Sequence, residues 1–172
     1  DVYKRQSVGV CAAGEAEPPE YHVKAVFLHN FAKFVAWPRE AMGKPGDPIR
    51  IGVLEADRFG DAFALLKDAR AKGRPVTIQE CPTISELEKC HIIFLGSHDE
   101  LLVRVILRHF RDKPVLTVGE GRNFNRWHGM ISFIERKGRV GLRVSLEDAK
   151  KAKLKISSQL LEVAELYEPG GR

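Results

Sequence analysis

The run HIIFLG at His91–Gly96 places four large apolar residues, Ile92 to Leu95, in direct succession, with none of the alternation of a strand that has one wet face. A run this short reads as a central strand covered on both faces. Working outward, IRIGVLE at Ile49–Glu55, the segment Pro75–Cys81 and PVLTVG at Pro114–Gly119 read as further strands. Between the first two, Asp57 is placed to cap a helix carrying Phe59, Phe63 and Leu66 on one side, with Gly73 as its stop. A short helix around Ser85–Lys89 leads into HIIFLG, and a longer one, Glu100–Arg111, turns Leu102, Val105, Ile106 and Phe110 inward. Strand and helix in alternation predict a mainly parallel sheet with helices on both faces. After Gly119 the pattern changes. Met130–Glu135 and Arg139–Val144 flank Arg136-Lys137-Gly138 as a β-hairpin, with Val140, Leu142 and Val144 alternating against Gly141 and Arg143. Ser145 and Asp148 have capping-box spacing, and Ile156, Leu160, Val163, Ala164 and Tyr167 predict a last amphipathic helix.

Ahead of the first strand, VKAVFLHNFAKFVAWP at Val23–Pro38 is apolar around most of a helical circumference. His22, His29 and Lys33 form its narrow polar strip, and Trp37-Pro38 ends it, because the residue before proline is pushed out of the α region. Asn30 falls on the apolar side and is expected to be hydrogen-bonded in the core, the alternative being a partner contact.

A chain of 172 residues with 44% hydrophobic content suffices for one domain with a real core. The net charge of +5 is spread among acids. The densest basic runs, Arg104–Lys113 and Lys150–Lys155, read as wet helix faces, so nucleic acid binding is not expected. Residues 1–16 are excluded from the fold. DVYKRQ reads as a sequence scar, and SVGVCAAGEA as the remnant of a signal peptide with small residues suited to cleavage after Ala13 or Ala16. The folded domain is therefore expected over 17–172, exported, and with no membrane insertion, since no apolar run approaches the roughly 20 residues of a spanning helix.

The six histidines form no metal motif: His22 and His29 are seven apart on one helix, and no H-x-x-x-H occurs. Nucleophile elbows, Walker loops and complete dinucleotide fingerprints are also missing from the sequence, Gly119-Glu120-Gly121 reading as a turn. No metal, cofactor or catalytic residue is assigned. In open α/β sheets ligands bind at the carboxyl ends of the strands, which gathers Glu55, Asp57, Ser97, His98 and Glu120 as candidate ligand-binding residues, with Asp99 beside them. A phosphoacceptor receiver is excluded, because the third strand ends in Gly96-Ser97 instead of a carboxylate. The polar strip of the first helix and the wet hairpin face supply candidate partner contacts at His29, Lys33, Arg139 and Arg143. Cys81 and Cys90, at the end of one parallel strand and the start of the next, are expected roughly 15 Å apart. A bridge needs Cα atoms within about 7 Å, so two free or buried thiols are expected, the alternative being a distorted Cys81-Pro82 connection that brings them together.

Taken in order, VKAVFLHNFAKFVAWP, CHIIFLG, PVLTVGE and GMISFIERKGRVGLRVSLEDAKKAKLKISSQLL resemble the YfiR family of bacterial periplasmic proteins over roughly Tyr21 to Ala164. The resemblance implies a single Rossmann-like α/β domain, homodimeric in many members and located in the periplasm. It also implies a non-enzymatic function: members bind the periplasmic sensor domain of an inner-membrane diguanylate cyclase and repress cyclic di-GMP synthesis, and an outer-membrane lipoprotein sequesters the repressor. Better-known relatives carry additional cysteines; this chain has none in its hairpin or C-terminal segments. A small-ligand sensor using the strand-end crevice is the alternative reading.

Overall fold

The computed structural model describes residues 19–170, so the expected leader over 1–16 lies outside the described residues. The chain opens with α1 (Glu20–Phe34), β1 (Val35–Ala36) and a 3-10 turn at Arg39–Ala41, then β2 (Ile49–Leu54). Two more 3-10 turns, Ala56–Phe59 and Ala62–Leu66, precede β3 (Arg70–Ala71), β4 (Arg74–Glu80), α2 (Ile84–Leu87), β5 (Ile92–Leu95), α3 (Glu100–Phe110) and β6 (Leu116–Glu120). There follow α4 (Asn123–Arg126), β7 (Ile131–Arg136), β8 (Arg139–Val144), α5 (Leu146–Lys151), β9 (Lys155–Ile156), α6 (Ser158–Leu161) and β10 (Glu165–Leu166).

The main sheet has eight strands in the order β10-β8-β7-β6-β5-β2-β4-β3. The run β4, β2, β5, β6, β7 is parallel throughout, while β7 and β8 pair antiparallel as the expected hairpin, with Ile131 opposite Val144. Both residues of its turn, Lys137 and Gly138, have positive φ, 53° and 77°, the geometry whose twist matches a two-residue hairpin. The continuous apolar run of β5 and the mostly buried residues of β2 and β6 feed two cores. On one face Ile51, Val53, Ile92, Phe94 and Val118 meet Leu28 and Phe31 of α1; on the other Leu54, Ile93 and Leu95 meet Val103, Ile106, Leu107 and Phe110 of α3. The result is a single three-layer α/β domain with a mainly parallel sheet. Each fully buried Phe or Ile here contributes roughly 1.5–3 kcal/mol of transfer free energy.

Several expectations are corrected. The first helix ends at Phe34, short of Trp37: Val35 is already extended, and β1 pairs antiparallel with β9. Asn30 is half-buried. Asp57 caps no helix, because the segment is two 3-10 turns separated by Gly60, whose φ is +53°, and Glu55 occupies the capping position in the left-handed region. Gly73 sits in the β3–β4 turn and stops no helix. In α3 the inner face is Val103, Ile106, Leu107 and Phe110, while Leu102 and Val105 are exposed. The last expected helix is replaced by β9, α6 and β10, and Val163 is 60% exposed, because strand pairing at both ends overrides the helical spacing.

The cysteines also depart from expectation. Cys81 and Cys90 are free and buried, yet their Sγ atoms lie 3.9 Å apart, far closer than a parallel register suggests. Both thiols turn into the space left by Gly52 of β2. A Cβ at that glycine would stand 2.6 Å from the Cys90 sulfur and 2.9 Å from that of Cys81.

Candidate functional site

The largest cleft described, about 770 Å³, opens where the amino end of α1 crosses the carboxyl ends of β6 and β7, beside the hairpin. Its wall includes Tyr21, Lys24, Arg58, Glu120, Phe133 and Arg139. The charged centre is a closed network. Lys24, only 4% exposed, donates to the carboxylates of Glu120 and Glu20. The Tyr21 hydroxyl donates to Glu120 Oε2 at 2.7 Å and accepts from Arg58 Nη1, also at 2.7 Å. Arg58 further donates to Glu120 Oε1 at 3.2 Å and to the Gly96 carbonyl at 2.5 Å. The Lys24 ammonium lies 4.3 Å from the centre of the Tyr21 ring and 5.6 Å from that of Phe133, so aromatic faces help offset its desolvation. Burial, and then the adjacent Glu120 carboxylate, hold the Tyr21 phenol well above its ordinary range, so it remains a proton donor at any neutral pH.

Local sequence explains the placement. Gly119, one residue before Glu120, lets the Phe124 ring pack onto the end of β6, where a Cβ would overlap the ring; Gly129 does the same from the other side. This packing supports the end of β6 that carries Glu120, whose carboxylate is held by Lys24, Tyr21 and Arg58. Tyr21 and Lys24 lie one turn apart on α1 and face the same cleft.

Of the candidate ligand residues, Glu120 lines the cleft. Glu55, Asp57 and His98 are exposed on loops, and among the described residues no hydrogen bond joins His98 to Asp57 or Glu120. Ser97 is half-buried and accepts from the Asp99 amide at 3.1 Å, holding the turn before α3. Sequence reasoning missed Tyr21, Lys24 and Arg58. Lys24 carried a signal, a lone cation on an apolar helix face, which demands a buried counter-charge.

The candidate partner residues fall in two places. His29 bonds the Arg70 carbonyl at 3.0 Å near the β3 edge, with Lys33 exposed one turn on. Arg139 is exposed at the hairpin and lines the cleft, near the opposite end of the strand order. Arg143 is half-buried: its guanidinium donates to Asn125 Oδ1 at 2.9 Å and to the Arg122 carbonyl, and lies 5.1 Å from the centre of the Tyr167 ring.

Fold and cleft together define a doubly wound three-layer α/β domain with a charged site at its strand ends. The chain belongs to the YfiR/HmsC-like family, which matches residues 21–165. That family is one of periplasmic regulators associated with diguanylate cyclase signalling. A search of curated proteins returned no significant match. Among the described residues no helix is long and apolar enough to cross a membrane.

Proposed function

We propose that this protein is a periplasmic regulator that binds the periplasmic sensor domain of an inner-membrane diguanylate cyclase and represses cyclic di-GMP synthesis, acting by contact and without turnover. The family match over residues 21–165 carries this reading. Its contact surface is the hairpin tip, where Arg136, Lys137 and Arg139 are exposed around a two-residue turn. These three cations outnumber the one exposed acid beside them, Glu135, and a net positive tip selects and steers an acidic partner surface. Arg143, committed to Asn125 and Arg122, shapes the base of the hairpin and leaves the contact to the tip. His29 and Lys33 form a separate polar patch, suited to the further partners of this family pattern, a second copy of the chain or a sequestering outer-membrane lipoprotein. The test is capture of the purified chain by periplasmic domains of cyclases from its own genome, with cyclic di-GMP measured in cells in parallel. Capture together with a fall in cyclic di-GMP is expected; no capture by any cyclase domain rejects the proposal.

The cleft supports a second reading, a small-ligand sensor. A buried lysine, a tyrosine and an arginine converge on Glu120 in an accessible space of about 770 Å³. A ligand preferring one state of this network would stabilise the chain in a thermal-shift screen by RT ln(1 + [L]/Kd). A screen with no stabilising metabolite would remove this reading.

A further inference from the structure

Helix α3 buries Val103, Ile106, Leu107 and Phe110 against the sheet and still has large apolar residues left over. Leu101 is 73% and Val105 54% exposed, and at i, i+4 they adjoin on the outer crest of the helix, with Leu102 at its margin, 37% exposed. Arg104 and Arg108, also one turn apart and both exposed, run along one side of this crest, and Arg111 follows past its end. The guanidinium of Arg104 lies 5.6 Å from the centre of the Trp127 ring, a half-buried indole preceded by the exposed Arg126. The acids are at the ends. Asp99 is committed to the Leu102 amide as the helix cap, Glu100 opens the helix, and Asp112 lies beyond its last turn. On the other flank His109 pairs with Glu88 at 3.0 Å.

The combination has a specific chemical fit. A helix lying flat on a bilayer sets aliphatic side chains at the boundary of headgroups and acyl chains, cations among the phosphates and indoles at the interface. The crest of α3 offers each of these: Leu101 and Val105 for the acyl boundary, Arg104, Arg108 and Arg111 for phosphates, and Trp127 alongside. None of Leu101, Arg104, Val105 and Arg108 lines the main cleft, and they stand on the outward side of a single helix, which suits a planar surface better than a helix seeking a groove.

We propose that the outer face of α3 rests on an anionic phospholipid surface, with Leu101 and Val105 entering the headgroup boundary and Arg104, Arg108 and Arg111 paired with lipid phosphates. Binding is reversible and additive to any protein contact, so this inference stands whether or not a cyclase is the partner. It would hold the chain in the plane where the outer domain of a membrane protein emerges.

The test is co-sedimentation of the full chain with vesicles of mixed phosphatidylglycerol and phosphatidylcholine, and with phosphatidylcholine alone, at low and high salt. Binding is expected on the anionic vesicles only, and weaker at high salt. Each arginine near a charged surface is worth about fivefold in partition, so R104Q with R108Q lowers binding by about 25-fold. L101S with V105S, at exposed positions that leave the fold intact by circular dichroism, abolishes it. Absence of binding to anionic vesicles overturns the proposal. So does binding that neither double variant reduces, which would reflect diffuse positive charge, and so does equal binding to neutral vesicles. Capture of an acidic protein partner by this face without vesicle binding would reassign it to a protein contact.

Discussion

Lys24 on α1 and Glu120 at the end of β6 form a direct ion pair across a sequence separation of 96 residues. The pair ties the first helix to the carboxyl end of the sheet, and Tyr21 and Arg58 converge on the same carboxylate. The two partners are unequal. Glu120 serves three donors, whereas Lys24 retains Glu20 when Glu120 is removed.

Glu120→Ala is therefore expected to destabilise by about 2–3 kcal/mol, less than a fully buried pair because Lys24 keeps one carboxylate at the rim. Lys24→Met should cost clearly less, since Glu120 keeps Arg58 and Tyr21. Urea denaturation of the two variants measures the difference; equal losses would mean that the network is not centred on Glu120.

His91, buried at the start of β5, accepts from the Arg50 amide at Nδ1 and donates from Nε2 to the Ala41 carbonyl, both at 3.0 Å. The first bond requires an unprotonated Nδ1, and burial holds the pKa of the ring below its ordinary 6.5. The unfolded chain thus binds the proton first, so the contribution to stability is complete above about pH 6.5 and is lost as pH falls from there through the folded-state pKa. Thermal unfolding should show a melting temperature that drops between pH 7 and pH 5, and His91→Gln should flatten that drop.

Burial, and then the neighbouring Cys81, push the Cys90 thiol up to about 12. The native chain should resist thiol reagents at neutral pH and label only on unfolding, because the reactive thiolate is scarce. Rapid native labelling at Cys90 would contradict this placement.

Gly52→Ala inserts a methyl group between both sulfurs in a packed core and is expected to cost about 1–3 kcal/mol. Pairing it with Cys90→Ala, which vacates the nearer sulfur, should restore part of that loss in the same denaturation assay.

What was legible in the sequence follows from which forces act locally. β5 shows as an apolar run because both its faces are covered, and the hairpin shows because Lys137-Gly138 is turn chemistry. The segment after Glu55 reads as a helix from Phe59, Phe63 and Leu66, but Gly60 in a left-handed conformation divides it into two 3-10 turns. Helical spacing from Ile156 to Tyr167 was overridden at both ends by pairing with β1 and β8. α3 is apolar at 101, 102, 103, 105, 106 and 107, which is enough for two inner faces. Only packing on the sheet decides between them, and the choice leaves Leu101 and Val105 outside. At the site, Glu120 was legible as a strand-end acid. Tyr21 lies ahead of the apolar pattern that marked the first helix, and Arg58 sits in a loop whose turn the spacing concealed.

The central claim, repression of a cyclase by contact at the hairpin tip, is tested most directly by comparing wild type and Arg139→Glu for capture on the periplasmic domain of a cyclase from the same genome, with cellular cyclic di-GMP read in parallel. The account predicts that wild type is captured and lowers cyclic di-GMP, and that Arg139→Glu, folded by circular dichroism, loses both, its capture weakened at least tenfold, about 1.4 kcal/mol. Equal capture of the two proteins would remove the hairpin from the contact, and failure of wild type to bind or to lower cyclic di-GMP would contradict the account as a whole.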